Sequence, residues 1–124
     1  MDYITGDRRL AESDYRLMRL IWDNEPLSST RLAELAAGTL GWKKSTTYTM
    51  IKKMSDKGFV RSEQAIVRAC IPREQVERAE SLKFVDQTFS GSLPGFLVAF
   101  LGGKKLSRGE AEELKALIDA HRED

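Results

Sequence analysis

Lys43, Lys44, Ser45, Thr46, Tyr48, Thr49, Lys52 and Lys53 lie within one short stretch of this chain. Their chemistry is the holding of a polyanion. Ammonium groups neutralise phosphates and release condensed counterions. Small hydroxyl side chains and the first backbone N–H groups of a helix reach phosphates and base edges. From Gly41 to Arg61 there are six basic residues (Lys43, Lys44, Lys52, Lys53, Lys57, Arg61) and one acid, Asp56, a local balance of +5 in a chain whose net charge is +1. The flanking segments are each mildly acidic, at −2 for residues 1–40 and −2 for residues 62–124. The charge is therefore placed, not spread, which argues against a nonspecific polycation.

Other chemistries lack their residues. The only histidine, His121, sits three residues from the end, so no nucleophile has a base beside it and an enzyme is not expected. His121 with the lone Cys70 falls short of the four ligands of a structural zinc site. No metal and no cofactor is expected. A single cysteine forms no internal disulfide and suits a reducing compartment. The N-terminus does not read as a signal peptide. The longest apolar run, Phe96 to Leu101, is too short to span a bilayer. A cytoplasmic protein with no membrane insertion is the expectation.

The elements that must position the basic stretch follow from periodicity. Residues 1–9 lack it and are expected to form a flexible terminus. A helix begins near Glu12, with Leu17, Met18, Ile21 and Trp22 on one face, and stops at Asn24 and Pro26. Ser28 or Ser29 caps a second helix whose Leu32, Leu35 and Ala36 face the core. A third runs from about Lys44 to Lys57. Its Thr47, Met50, Ile51 and Met54 fall at i, i+3, i+4 and i+7, which leaves Ser45, Thr46, Tyr48, Thr49, Lys52 and Lys53 outside. After Gly58 the period changes. Phe59–Ser62 and Ile66–Ile71 read as a two-stranded hairpin carrying Arg61 and Arg68, closed by Pro72. Three helices, the third basic, and a hairpin make a winged helix-turn-helix domain over residues 10–72.

Residues 73–124 read as a mainly helical region. Val76, Ala79, Leu82, Val85 and Phe89 lie along one helix, broken at Gly91. Leu93, Phe96, Leu97, Phe100 and Leu101 share a face of a short one. Ser107 and Glu110 form a capping box for a last helix with Leu114, Leu117 and Ile118 on one side. Three short apolar stripes in about 50 residues bury too little surface alone. These residues, from Val76 to Ile118 and with Ala79 left out, are the expected dimerisation contacts. A dimer suits a helix-turn-helix protein because it reads two half-sites of a palindrome.

The order and spacing of several short motifs carry a resemblance. They are Leu17-Met18-Arg19-Leu20-Ile21-Trp22, Gly41-Trp42-Lys43-Lys44-Ser45-Thr46-Thr47-Tyr48-Thr49, Lys57-Gly58-Phe59-Val60, Phe89-Ser90-Gly91-Ser92-Leu93, and Leu106-Ser107 with Glu110, Glu112, Glu113 and Leu114. With these the chain resembles the penicillinase-repressor (BlaI/MecI/CopY) family of bacterial transcriptional regulators. The resemblance implies a dimeric repressor of palindromic operators on double-stranded DNA. In resistance-type members it implies release by C-terminal proteolysis, triggered indirectly by a membrane metalloprotease sensor. Ala99-Phe100 stands where those members are cut between Asn and Phe, so whether this chain is cut is left open. The cysteine cluster of copper-responsive members is absent. Glu63-Gln64-Ala65 and Cys70 stand where the family wing carries a glycine turn and an aromatic residue.

The plainer alternative gives the same fold another use: a winged-helix module that binds a protein, with the lysines a solvated face. Trp22 and Trp42 are expected to pack, Cys70 to act as a small apolar residue on a strand, and the glutamates at 110, 112 and 113 to complement a helix dipole.

Overall fold

The computed structural model describes residues 10–124. The expected flexible segment 1–9 lies outside the described residues. The chain divides into two compact units that meet between Lys83 and Phe84.

In the first unit, α1 (Glu12–Asn24) is followed by β1 (Leu27–Ser28), α2 (Ser29–Leu40), α3 (Lys44–Asp56), β2 (Val60–Glu63), β3 (Ile66–Ala69) and the start of α4 (Arg73–Phe89). The fold is a winged helix-turn-helix. Its core follows the helical stripes: Leu17, Met18 and Ile21 from α1, Leu32 and Ala36 from α2, Ile51 and Met54 from α3. Phe59, Val67 and Val76 close it, each fully buried. Ser28 caps α2 by accepting the Arg31 N–H at 3.0 Å. Gly41 ends α2 in a left-handed conformation, φ 69°, where a side chain would be strained. The chain can thus turn sharply from α2 into α3.

Among the described residues the sheet has three strands, not two. β1 pairs antiparallel with β3, Leu27 opposite Val67 and Ser28 opposite Ile66, and β3 pairs with β2. A strand of two residues has no periodicity to read, so the sequence did not announce it. The β2–β3 turn is Gln64-Ala65, both at positive φ (50° and 61°). That is the geometry of a two-residue hairpin that usually employs Asn-Gly. The turn is tied down by the Ser29 N–H, which donates to the Ala65 carbonyl at 2.8 Å. Where β1 runs out, the Glu25 carboxylate takes over the ladder, accepting the Ala69 N–H at 2.7 Å.

α4 starts on a latch. Trp22 Nε1 donates to the Ile71 carbonyl at 3.0 Å. Arg73 pairs with Asp23 at 2.9 Å and lies over the Trp22 ring. Val76 then enters the core of the first unit. The expected boundary at Arg73 falls inside α4: the first turns of that helix belong with the first unit, which extends to Lys83.

The second unit holds the end of α4, then α5 (Leu93–Leu101) and α6 (Arg108–Ala120). Ser92 and Ser107 cap the two short helices, accepting the Gly95 and Glu110 N–H groups at 2.9 and 3.1 Å. Four phenylalanine rings gather here. Phe84, Phe89 and Phe96 meet edge to face with centroids 5.6–6.0 Å apart, and Phe100 joins Phe96 at 5.6 Å. None of the residues from Phe84 to Asp124 is buried.

Candidate nucleic-acid interface

α3 presents its buried side through Thr47, Ile51 and Met54. The opposite side carries Ser45, Thr46, Thr49 and Lys52, all exposed, with Lys43 and Lys44 leading in. Lys43 holds the N-cap position without a capping side chain. The first N–H groups of α3 are therefore left at its positive end with no side-chain oxygen of their own. Lys44 Nζ lies 5.8 Å from the Tyr48 ring centroid.

Two residues of this row differ from their sequence-based placement. Tyr48 was expected to point outwards; its ring is half buried and packs against the core. An amphipathic ring at a helix edge gains more from covering apolar surface than from full hydration. Lys53 was expected among the outward lysines; its ammonium instead pairs with Asp14 Oδ1 at 3.0 Å. Lys57 reaches the other oxygen of the same carboxylate at 3.4 Å. Lys52 makes only an exposed pair with Asp56, which contributes little.

Asp14 is the residue that motif reading missed. It is fully buried, yet it also accepts the Ala11 N–H at 2.8 Å at the start of α1. Burial pushes its pKa up, but the Ala11 hydrogen bond, the Lys53 hydrogen bond and the charges of Lys57 and Lys53 outweigh that and hold the carboxyl below its ordinary range. One sequence signal could have found it. Asp14, Leu17, Met18 and Ile21 stand at i, i+3, i+4 and i+7, so the acid sits on the apolar stripe and must have partners. Thr47 is the parallel case on α3: it is fully buried, and its hydroxyl finds no hydrogen-bond partner among the described residues.

The wing adds a second basic element. Arg61 and Arg68 are exposed and stand directly opposite each other across β2 and β3. Like charges in that position repel. Arg61 is partly compensated by Glu63 at 3.1 Å. Arg61, Glu63, Gln64, Ile66 and Arg68 line a shallow cavity of about 200 Å³, whose lining carries both signs of charge.

The residues expected at a dimer interface fall into two groups. Val76 is corrected: it is fully buried within the first unit, so it has no surface to offer a partner. The others are available. Leu82, Leu93, Phe100, Leu117 and Ile118 are each more than half exposed. Val85, Phe89, Phe96, Leu97, Leu101 and Leu114 are half buried. Val98, which periodicity did not single out, is among the described residues the most exposed large apolar side chain, at 75%. Ala99 and Phe100 lie in the last turn of α5. Among the described residues no helix is long and apolar enough to cross a membrane, and no cluster of three or more His, Cys, Asp or Glu side chains could hold a metal.

Comparison with known proteins agrees with this architecture. The family model described as penicillinase repressor matches residues 10–120. The methicillin resistance regulatory protein MecI of Staphylococcus aureus strain N315 is 20% identical over 114 residues, which is 89% of this chain and 93% of that protein. The same protein from Mammaliicoccus sciuri aligns with the same figures. The penicillinase repressor of Bacillus licheniformis is 20% identical over 118 residues, 92% of each chain.

Proposed function

The chain belongs to the penicillinase repressor family, and from that premise we propose that it is a dimeric repressor that binds palindromic operator DNA through α3 and the wing. The observation that carries this reading is the exposed row on α3, where Lys43, Lys44 and Lys52 flank Ser45, Thr46 and Thr49. The lysines hold phosphates on either side of a major groove, and the hydroxyls reach base edges from the early turns of the helix. Arg61 and Arg68 add a wing contact to the adjacent backbone. The exposed apolar side chains of α4, α5 and α6 form the interface with a second copy, which tethers two heads on two half-sites.

Proteolytic release belongs to the same reading. Cutting the Ala99–Phe100 bond would take Phe100 and α6 away from the phenylalanine cluster and so undo the pairing of the heads. The protease would be activated by a membrane metalloprotease sensor without itself being part of this chain's fold.

The test is a fluorescence-anisotropy titration of the full chain against a duplex from upstream of its own gene and a scrambled duplex, over a range of salt. The expected result is a preference for the native duplex and a steep salt slope. Equal, salt-independent binding to both would overturn the reading.

A further inference from the structure

We propose that Asp14 withholds Lys53 and Lys57 from DNA phosphate and thereby limits how tightly the chain holds DNA of any sequence. The inference rests on the DNA-binding reading above and deepens it.

Lysines on a recognition helix act on every sequence alike, because a phosphate carries no base identity. Each additional phosphate contact raises affinity for all DNA and leaves discrimination unimproved. α3 carries more lysine than its outward row employs. Lys53 leaves the helix beside Lys52, and its side chain is still 43% exposed. Its stem is therefore free to swing, and what fixes the ammonium is a carboxylate 3.0 Å away on α1. The two oxygens of Asp14 are divided between two lysines of α3 and its cap, Lys53 on Oδ1 and Lys57 on Oδ2. The Ala11 N–H also binds Oδ2, which fixes the carboxylate from its own helix. This acid is set into an apolar stripe, where a leucine would pack with less desolvation cost. Asp14 is a positioning residue: it touches no DNA and acts through the lysines it holds.

A purely structural Asp14 and a withholding Asp14 predict opposite signs. Loss of a structural brace lowers binding to operator and random DNA together. Loss of a withholding acid lets Lys53 reach phosphate, so random-duplex binding rises. One more phosphate contact steepens the salt slope by about 0.9 per subunit, roughly an eightfold gain at 0.1 M salt.

The experiment compares the full chain with Asp14→Asn on a random duplex and on the native upstream duplex. The expected result for Asp14→Asn is a steeper salt slope and binding tighter by about five- to tenfold on both duplexes, with the operator preference unchanged. A fall in both affinities with an unchanged slope would overturn the inference. If Asp14→Asn does not fold, Asp14→Asn/Lys57→Met removes the buried acid together with its more buried partner, and the same rise is expected from Lys53 alone. Lys53→Gln in the otherwise native chain should leave the slope unchanged, whereas Lys52→Gln should lower it; a drop of about one per subunit for Lys53→Gln would show Lys53 already on phosphate and sink the idea. Reductive methylation of the chain without DNA, mapped by mass spectrometry, separates this inference from the reading beneath it. Lys53 should react several-fold more slowly than Lys52, and Asp14→Asn or the double variant should erase the gap. Equal reactivity in the native chain refutes the hold on Lys53 whether or not DNA binds; a gap without any DNA binding refutes the proposed function instead.

Discussion

The two units of this chain use apolar residues in opposite ways. The first closes a core: Leu17, Met18, Ile21, Leu32, Met54, Phe59, Val67 and Val76 are all fully buried. The second has phenylalanine and leucine in plenty, yet none of them reaches the full burial of a core residue. α5, Leu-Pro-Gly-Phe-Leu-Val-Ala-Phe-Leu, is apolar on every side. A helix of that kind is stable only when surrounded. The first unit therefore contains its own stabilisation, and the second leaves apolar surface exposed, which in our proposal another molecule covers. In our reading that molecule is a second copy of the chain.

The largest test cuts the two apart. A chain ending at Lys83 keeps Val76 and the Arg73–Asp23 pair, so it should fold as a monomer. Its operator affinity should fall by about 10²–10⁴-fold, because the second head is no longer tethered. A chain ending at Pro72 should instead be less stable, since it loses Val76 from the core. Sedimentation and operator titration of both fragments check this. A dimer of the Lys83 fragment would break the comparison, because the first unit would then supply the interface itself.

A substitution within the second unit sharpens it. Phe100 is 53% exposed in the single chain, so Phe100→Asp costs the monomer little. At an interface it would bury an unpaired charge, at a cost of several kcal/mol. The expected outcome is a chain that sediments near 14.0 kDa at micromolar concentration with the thermal transition of the first unit intact. Retention of the dimer would place the interface away from α5.

Acid should act on the first unit through Asp14. Its folded-state pKa is lowered, so the stability it contributes is present above its unfolded value of about 3.9 and is lost as pH falls through the folded value. Thermal stability of the Lys83 fragment should hold from pH 7 to about pH 5 and decline below pH 4. Asp14→Asn should remove this part of the acid sensitivity. It should also cost about 1.5–3 kcal/mol at neutral pH, less than a fully buried pair because Lys53 is partly solvated. An unchanged acid profile in Asp14→Asn would show that other carboxylates govern the decline.

The same contrast between units explains what the sequence could reveal. Helix boundaries were legible because caps and 3.6-residue stripes are local: Ser28, Gly41, Pro72 and Ser107 each mark an edge that the structure keeps. β1 was not, since two residues carry no period. The α4 stripe was visible, but not its owner; Val76 packs into the first unit while Phe89 joins the ring cluster of the second. Ownership is a matter of which surface comes near, and that is a tertiary fact. In the candidate site, the exposed hydroxyls and lysines of α3 followed from helical geometry. The engagement of Lys53 did not, because its partner lies 39 residues away on another helix. Only the awkward place of Asp14 on an apolar stripe hinted that some cation must come to it.

The smallest expected effect lies in the wing, at the turn where the sequence departs most from what the geometry favours. Ala65 sits at φ 61° with the Ser29 N–H bonded to its carbonyl. A left-handed conformation costs an L-residue about 1–2 kcal/mol. Glycine escapes that cost but loses about 0.4–1 kcal/mol more chain entropy on folding. The difference favours Ala65→Gly by roughly 0.5–1 kcal/mol, because the Ser29 bond uses backbone atoms and survives the change. In a domain of this size that is a rise of about 2–8 °C in the melting temperature. The rise should be present in the Lys83 fragment and in the full chain alike, since the turn belongs wholly to the first unit. The dimer dissociation constant should not move. A lower melting temperature would mean that the turn relaxes out of the left-handed region in solution; an altered dimer constant would mean that the wing reaches the interface, and the division between a self-sufficient head and a partner-dependent tail would have to be redrawn.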